Sequence, residues 1–134
     1  MQKNLGVDSQ AYGRIMSTNE FDDRVNLDAS GVCNHGIECE FALFIGADAE
    51  SKTYSRETIG EIIKAALPAI EIVANRYGDF RIRGAPTLIA EDFFHEARVP
   101  GAPVSNRQGI YFAAVAGRTL VDGMEQGIGV EALS

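Results

Sequence analysis

Cysteine, basic residues and long apolar runs are all scarce in this chain of 134 residues, and each shortage argues against a class of protein. The two cysteines, Cys33 and Cys39, do not have the spacing of a disulfide scaffold, which favours a reducing compartment. Nineteen acidic residues against 12 basic ones give a net charge of −7, which argues against nucleic acid or an anionic membrane as a partner. No apolar run is long enough to span a bilayer and the N-terminus has no signal-peptide pattern, so we predict a cytoplasmic protein.

Several familiar catalytic and nucleotide-binding motifs are also missing. The chain has no G-x-S-x-G, P-loop or dinucleotide-binding glycine pattern. Cys33, His35, Cys39 and His95 offer the atoms of a zinc site or of a Cys/His nucleophile pair, but their spacing matches none of the usual zinc patterns. A buried structural role for Cys39 and a structural or surface role for His95 are the simpler interpretations.

What is present is a globular composition, with 46% hydrophobic and 23% charged residues over a length that suits one domain. We therefore predict a single domain over residues 1–134. The predicted elements are mostly strands with one or two helices, which is an α+β fold dominated by β structure.

The most informative feature is the pair Glu38 and Glu40, inside an apolar run that extends from Gly36 to Gly46. The run is short and bounded by glycines, so it predicts a buried or half-buried strand. Because strand side chains alternate, one side is wholly apolar and both glutamates project from the other, roughly 6–7 Å apart. Like charges this close repel each other when desolvated, and a divalent cation converts them into a binding site. A solvated strand edge is the alternative that the spacing leaves open.

Further elements follow this strand. Ser55 is typical of a helix N-cap, and the apolar positions after it predict an amphipathic helix that ends at Pro68. Residues 69–74 predict a strand interrupted by Glu71, which is either ion-paired or a ligand. A short strand is predicted at 87–90, a helical turn or loop at 91–96, and a strand over 110–121. Asp122 and Gly123 predict a two-residue hairpin turn into a last strand.

Three carboxylates, those of Glu38, Glu40 and Glu71, therefore stand in apolar strands. Three acids with water molecules completing an octahedron suit Mg²⁺ or Mn²⁺. Such a site leaves coordination positions for a substrate with adjacent oxygens, for example a 2-oxo acid.

The chain resembles the 2-keto-4-pentenoate hydratase branch of the fumarylacetoacetate hydrolase superfamily. The similarity lies in the order and spacing of five runs: Leu5–Asp8, Gly36–Ala42, Tyr54–Glu57, Leu67–Val73 and Leu120–Gly123. It implies a mixed β roll or sandwich, with Mg²⁺ or Mn²⁺ held by carboxylates that match Glu38, Glu40 and Glu71.

The resemblance also implies an activity. Hydratases of this type are lyases that add water to a 2-hydroxy-2,4-dienoate, or 2-oxo-alkenoate, during the degradation of aromatic compounds. The expected partner is thus a small 2-oxo or 2-hydroxydienoate acid. Leu5 is a substrate contact by family position, and Arg76 and Asp79 are candidates near the substrate, with a surface ion pair as their alternative role.

The pattern of the family is incomplete at both ends of the chain. The family's catalytic lysine falls upstream of Met1, Lys3 does not match it, and relatives continue beyond Ser134. We therefore expect a truncated, core-only version of the domain whose catalytic residue is unknown. One alternative is a non-enzymatic metal-binding fragment that forms a homo-oligomer through exposed sheet edges. Another is decarboxylation of 4-oxalocrotonate, or hydrolysis of acylpyruvates, on the same scaffold.

Overall fold

The computed structural model describes residues 11–30, 34–55, 57–105, 110–111 and 114–130. Strands dominate these ranges, as the sequence predicts. They are β1 (Asn34–Ile45), β2 (Ile63–Asn75), β3 (His95–Pro100), β4 (Ala116–Val121) and β5 (Met124–Val130). One short α-helix, α1, spans Ala85–Ala90, and single 3-10 turns occur at Ser17–Asn19, Ile59–Glu61, Phe80–Ile82 and Asp92–Phe94.

The two long strands lie side by side in a three-stranded sheet of order β1-β2-β3. A Cβ atom added to Gly36 would lie 2.9 Å from Val73 Cγ2, at the start of β1. Just past the end of β1, the Gly46 N–H donates to the Ile62 carbonyl at 2.8 Å. These two contacts show that β2 runs back along β1, because low residue numbers on one strand meet high numbers on the other.

The second sheet is the hairpin of β4 and β5, which pair antiparallel with Val121 opposite Met124. The two turn residues both have positive φ, 51° at Asp122 and 79° at Gly123. A turn with two left-handed central residues matches the right-handed twist of the strands that it joins. The hairpin predicted from this dipeptide is confirmed.

The helix predicted from Ser55 to Pro68 is wrong. Ser55 does begin a turn, since its hydroxyl accepts from the backbone N–H groups of Glu57 and Thr58 at 3.2 and 3.3 Å. After the 3-10 turn, however, the chain extends into β2, which contains Pro68. The apolar spacing fitted a helix, but the β-branched pair Ile62 and Ile63 also suits a strand, and sheet pairing decided between them. Because proline has no N–H to donate, Pro68 contributes only its carbonyl, which accepts from Gly101 at 2.7 Å.

The short strand predicted at residues 87–90 is also wrong, because this segment belongs to α1. Pro86 lies in the first turn of that helix, where its fixed φ and missing N–H are well tolerated. Leu88 is the one buried residue of α1, with 1% of its surface exposed. The segment 91–96, predicted as a helical turn or loop, is a short turn at Asp92–Phe94 with positive φ at all three residues, and β3 begins at His95. The strand predicted over 110–121 is observed from Ala116.

The apolar side of β1 is a strand face, as predicted, but it is exposed rather than buried. Ile37, Leu43 and Ile45 keep 57%, 49% and 51% of their surface exposed. Cys39 is exposed too, which corrects the prediction of a buried cysteine. Alternation along the strand places these side chains on one face, but burial of that face depends on what packs against it, which the local pattern does not specify.

Among the described residues, the buried apolar side chains are few and mostly small: Ala65, Ala66, Ala69, Ala74, Leu88 and Ala97. The described residues fall into two compact units. One draws on Met1–Glu38 and Ile70–Val99, the other on Cys39–Ala69 and Pro100–Ser134. The prediction of one domain stays a prediction. Within the described ranges, no helix has the length and apolar character that crossing a membrane requires.

Candidate metal centre

The three glutamates singled out in the sequence are brought together in the structure. Glu38 and Glu40 lie on β1 and Glu71 on β2, and one carboxylate oxygen from each lies within 4.8 Å of the others. Glu38 and Glu71 are half-buried, and Glu40 is exposed. Residues two apart on a strand share a face, and the antiparallel run of β2 brings Glu71 alongside Glu38. Strand alternation therefore accounts for the first two carboxylates, and the pairing of β1 with β2 accounts for the third.

The electrostatics of this cluster favour a cation. At an effective dielectric constant of 20, two carboxylates at the separation seen here repel by about 3 kcal/mol, and solvent around the exposed Glu40 reduces that repulsion. A donor set made only of carboxylate oxygens suits hard divalent cations rather than softer metals. The cluster can therefore hold a divalent metal ion.

His95 contacts Glu71 of this cluster, and the sequence did not predict that contact. It opens β3, is buried, and its Nδ1 lies 2.7 Å from Glu71 Oε1. Its Nε2 is also buried and has no hydrogen-bond partner in the described part of the chain. The expectation of a structural or surface histidine missed this contact, since the two residues are 24 positions apart and no local pattern relates them.

The turn that precedes His95 has an unusual backbone. Asp92, Phe93 and Phe94 have φ values of 51°, 53° and 74°, three consecutive left-handed residues without a glycine. Each such residue costs about 1–2 kcal/mol, so the surrounding structure must hold them there. The Phe94 ring is packed edge-on against Tyr77 and Phe80, with ring centroids 6.4 and 5.4 Å apart. These aromatic contacts fix the turn from which β3 begins.

Arg76, predicted as a candidate substrate contact, forms ion pairs with two acidic side chains. Its guanidinium forms a close ion pair with Glu96 and lies 3.9 Å from Glu91. Glu91 also bonds to Tyr77, and accepting that phenol's hydrogen bond raises the pKa of Tyr77 above its ordinary value. These contacts fit the ion-pair alternative for Arg76.

Asp79 has a local role at the next turn. Its carboxylate accepts from the Arg81 backbone N–H at 3.0 Å and so caps the 3-10 turn Phe80–Ile82. The same carboxylate lies 3.7 Å from the Arg81 guanidinium. Leu5, the third predicted substrate residue, lies outside the described residues.

The zinc alternative is not supported by the atoms that are described. The Cys39 thiol contacts the Thr119 hydroxyl at 3.2 Å, and His95 is engaged with Glu71. Cys33 lies outside the described ranges. Within those ranges, the group that meets metal-ligand spacing consists of glutamates alone.

Known proteins with related sequences are hydratases. The chain is 26% identical over 88 residues to 2-keto-4-pentenoate hydratase from Paraburkholderia xenovorans, and 32% identical over 91 residues to 2-keto-4-pentenoate hydratase 2 from Dechloromonas aromatica. Each match covers 66% of this chain, and 33% and 34% of the respective relative. The chain thus spans about a third of the length of the curated relatives that it matches. No protein-family model matches it.

A solved structure shares the fold. It is 4-oxalocrotonate decarboxylase from Pseudomonas putida, complexed with magnesium and adipate, and it aligns with a TM-score of 0.76 at 18% identity. The alignment covers 96% of this chain and 49% of that one. A second structure of that enzyme, complexed with calcium and acetate, aligns with a TM-score of 0.74. The resemblance drawn from the sequence motifs is confirmed: this chain has 2-keto-4-pentenoate hydratases as sequence relatives and the fumarylacetoacetate-hydrolase-like fold of 4-oxalocrotonate decarboxylase.

Proposed function

We propose that this chain forms the metal-binding part of a lyase that adds water to a 2-hydroxy-2,4-dienoate or 2-oxo-alkenoate in the degradation of aromatic compounds. The observation that supports this most is the approach of Glu38, Glu40 and Glu71 to within 4.8 Å of one another. The named hydratase relatives supply the reaction type.

In this proposal the three glutamates hold Mg²⁺ or Mn²⁺. A cation bound there would supply positive charge that stabilises the negative charge developing on the oxygens of the substrate. The glutamates orient that charge, and Glu71 is itself held by His95. Leu5, Arg76 and Asp79 are the candidate substrate contacts in this proposal.

The direct test is loss of the dienoate absorbance when the protein and Mg²⁺ are added to 2-hydroxypenta-2,4-dienoate. We expect turnover that depends on the metal and is lost in the double variant Glu38→Gln plus Glu40→Gln. The matched control is Glu125→Gln, which removes a strand glutamate that pairs with Arg118 at 3.7 Å. Turnover that survives the double change contradicts the mechanism.

A decarboxylase is the second candidate, because the fold is shared with 4-oxalocrotonate decarboxylase. Product analysis separates the two reactions, since decarboxylation releases CO₂ and hydration consumes water without losing carbon. An acylpyruvate hydrolase would instead release two acids. Stabilisation by Mg²⁺ with no turnover of any 2-oxo acid would favour the non-enzymatic metal-binding alternative.

We also propose that the chain forms a homo-oligomer. The exposed apolar face of edge strand β1 supports this, because a contiguous apolar face on a soluble protein commonly marks an association surface.

A further inference from the structure

The contact between His95 and Glu71 determines where a proton must lie. The two side chains are 4% and 20% exposed and are joined at 2.7 Å. An ionised carboxylate only accepts hydrogen bonds, so His95 Nδ1 carries the hydrogen and donates it to Glu71 Oε1. In the neutral ring Nε2 is then the unprotonated nitrogen.

The imidazole is held firmly enough to act as a fixed donor. It follows directly on the left-handed turn Asp92–Phe94, which the contacts of Phe94 with Tyr77 and Phe80 maintain. Backbone strain of this kind tends to be retained where it places a functional group.

We propose that His95 is a positioning residue for the metal site, a proposal that rests on Glu38, Glu40 and Glu71 being the ligands. By donating to Oε1, His95 fixes the orientation of the Glu71 carboxylate. The other carboxylate oxygen and the remaining lone pairs are then positioned to bind the cation. Without this hydrogen bond, the Glu71 carboxylate would lose conformational freedom when the metal binds, and that entropy cost would lower the metal affinity. Partners that hydrogen-bond a metal ligand in this way contribute about 10–100-fold in metal affinity.

The test is Mn²⁺ affinity, measured by the EPR signal of free Mn²⁺ during titration of the intact chain. We expect His95→Leu to weaken Mn²⁺ binding by about 10–100-fold. His95→Asn keeps an N–H donor at the position of Nδ1, and we expect it to restore affinity to within a few-fold of the unmodified chain. Leu88→Ala is the matched control, because it removes a buried side chain that has no hydrogen-bonding group, and we expect the folded variant to bind Mn²⁺ normally.

The outcomes separate this inference from the proposed function. If the unmodified chain fails to bind Mn²⁺ or Mg²⁺, the metal-dependent function is wrong. If the unmodified chain binds and His95→Leu binds equally well, only the positioning role is wrong. A ¹⁴N coupling to bound Mn²⁺ that disappears in His95→Leu would also overturn it, since His95 would then be a ligand.

Discussion

Among single residues, Glu71 is the one for which the sequence left two roles open, and its surroundings in the structure fit both. An acid in a β-branched run is either ion-paired or a ligand, and the structure places it beside both a histidine and two other glutamates. Strand alternation alone predicts that Glu38 and Glu40 lie on the same face of β1. The proximity of Glu38 to Glu71 depends on the pairing of β1 with β2, because these two residues are more than 30 positions apart in the sequence.

The cluster predicts opposite effects of one substitution with and without metal. Replacing Glu38 by Gln removes one of three like charges, so we expect the metal-free protein to gain up to about 1 kcal/mol in free energy of unfolding. Mg²⁺ at a hundred times its dissociation constant should stabilise the unmodified chain by about 2.7 kcal/mol and the variant by much less. Urea unfolding with and without Mg²⁺ measures both effects, and equal stabilisation of the two proteins would contradict the ligand assignment.

The raised pKa of Tyr77 gives a prediction about alkaline pH. Ionising this phenol removes the hydrogen bond that it donates to Glu91 and places its charge beside that carboxylate, so the folded protein holds the proton more tightly than the unfolded chain does. The stability that this provides is therefore present below the unfolded-state pKa of about 10 and is lost as pH rises through the folded-state value. In a titration of tyrosine absorbance, one tyrosine should ionise later than the others.

Two variants identify that tyrosine. Glu91→Gln should shift the late ionisation to lower pH, and Tyr77→Phe should remove it. A late ionisation that is unchanged in Tyr77→Phe would assign it to another tyrosine.

Among the secondary-structure elements, the hairpin was predicted correctly and the helix ending at Pro68 was not. The two differ because the hairpin turn depends on adjacent residues, whereas the conformation of the other segment depends on distant ones. Asp122 and Gly123 specify a turn through their own backbone preferences, so the dipeptide was sufficient. The segment Ile59–Leu67 had a helical spacing of apolar residues, but which backbone it adopts depends on hydrogen bonds to distant residues, such as the pair between Ala66 and Val104. Tertiary pairing of this kind overrides periodicity.

The hairpin turn makes a prediction with an internal control. Gly123 has φ of 79° and open space around it, so Gly123→Ala costs only backbone strain, which we expect to be about 1 kcal/mol. Gly127 also has open space and does not have a positive φ, so Gly127→Ala should leave stability unchanged or raise it slightly. Chemical denaturation of both variants checks this, and equal effects would show that the turn is not the cause.

At the scale of the whole molecule, the chain exposes an apolar face that its sequence pattern assigned to a core. Ile37, Phe41, Leu43 and Ile45 alternate along β1 as predicted, and all four are exposed. Alternation specifies which side chains share a face, but whether that face is covered depends on what packs against it.

We therefore predict concentration-dependent association of this chain. Leu43→Gln should shift the equilibrium towards monomer, because it places an amide in the middle of the apolar face, and light scattering coupled to size exclusion measures the shift. Ile82→Gln is the control, since Ile82 is 75% exposed on the 3-10 turn Phe80–Ile82 and is not part of β1. A chain that stays monomeric at high micromolar concentration would contradict the proposed homo-oligomer.

The features that could be predicted from the amino-acid sequence are those that depend on neighbouring residues. These are the alternation that places Glu38 and Glu40 on one face, the hairpin turn at Asp122 and Gly123, and the short turn that begins at Ser55. Tertiary structure alone decided the strand through Pro68, the exposure of the apolar face of β1, and the approach of His95 to Glu71. The physical reason is range, because backbone preferences act within a few residues, whereas sheet pairing and burial join residues that the sequence separates.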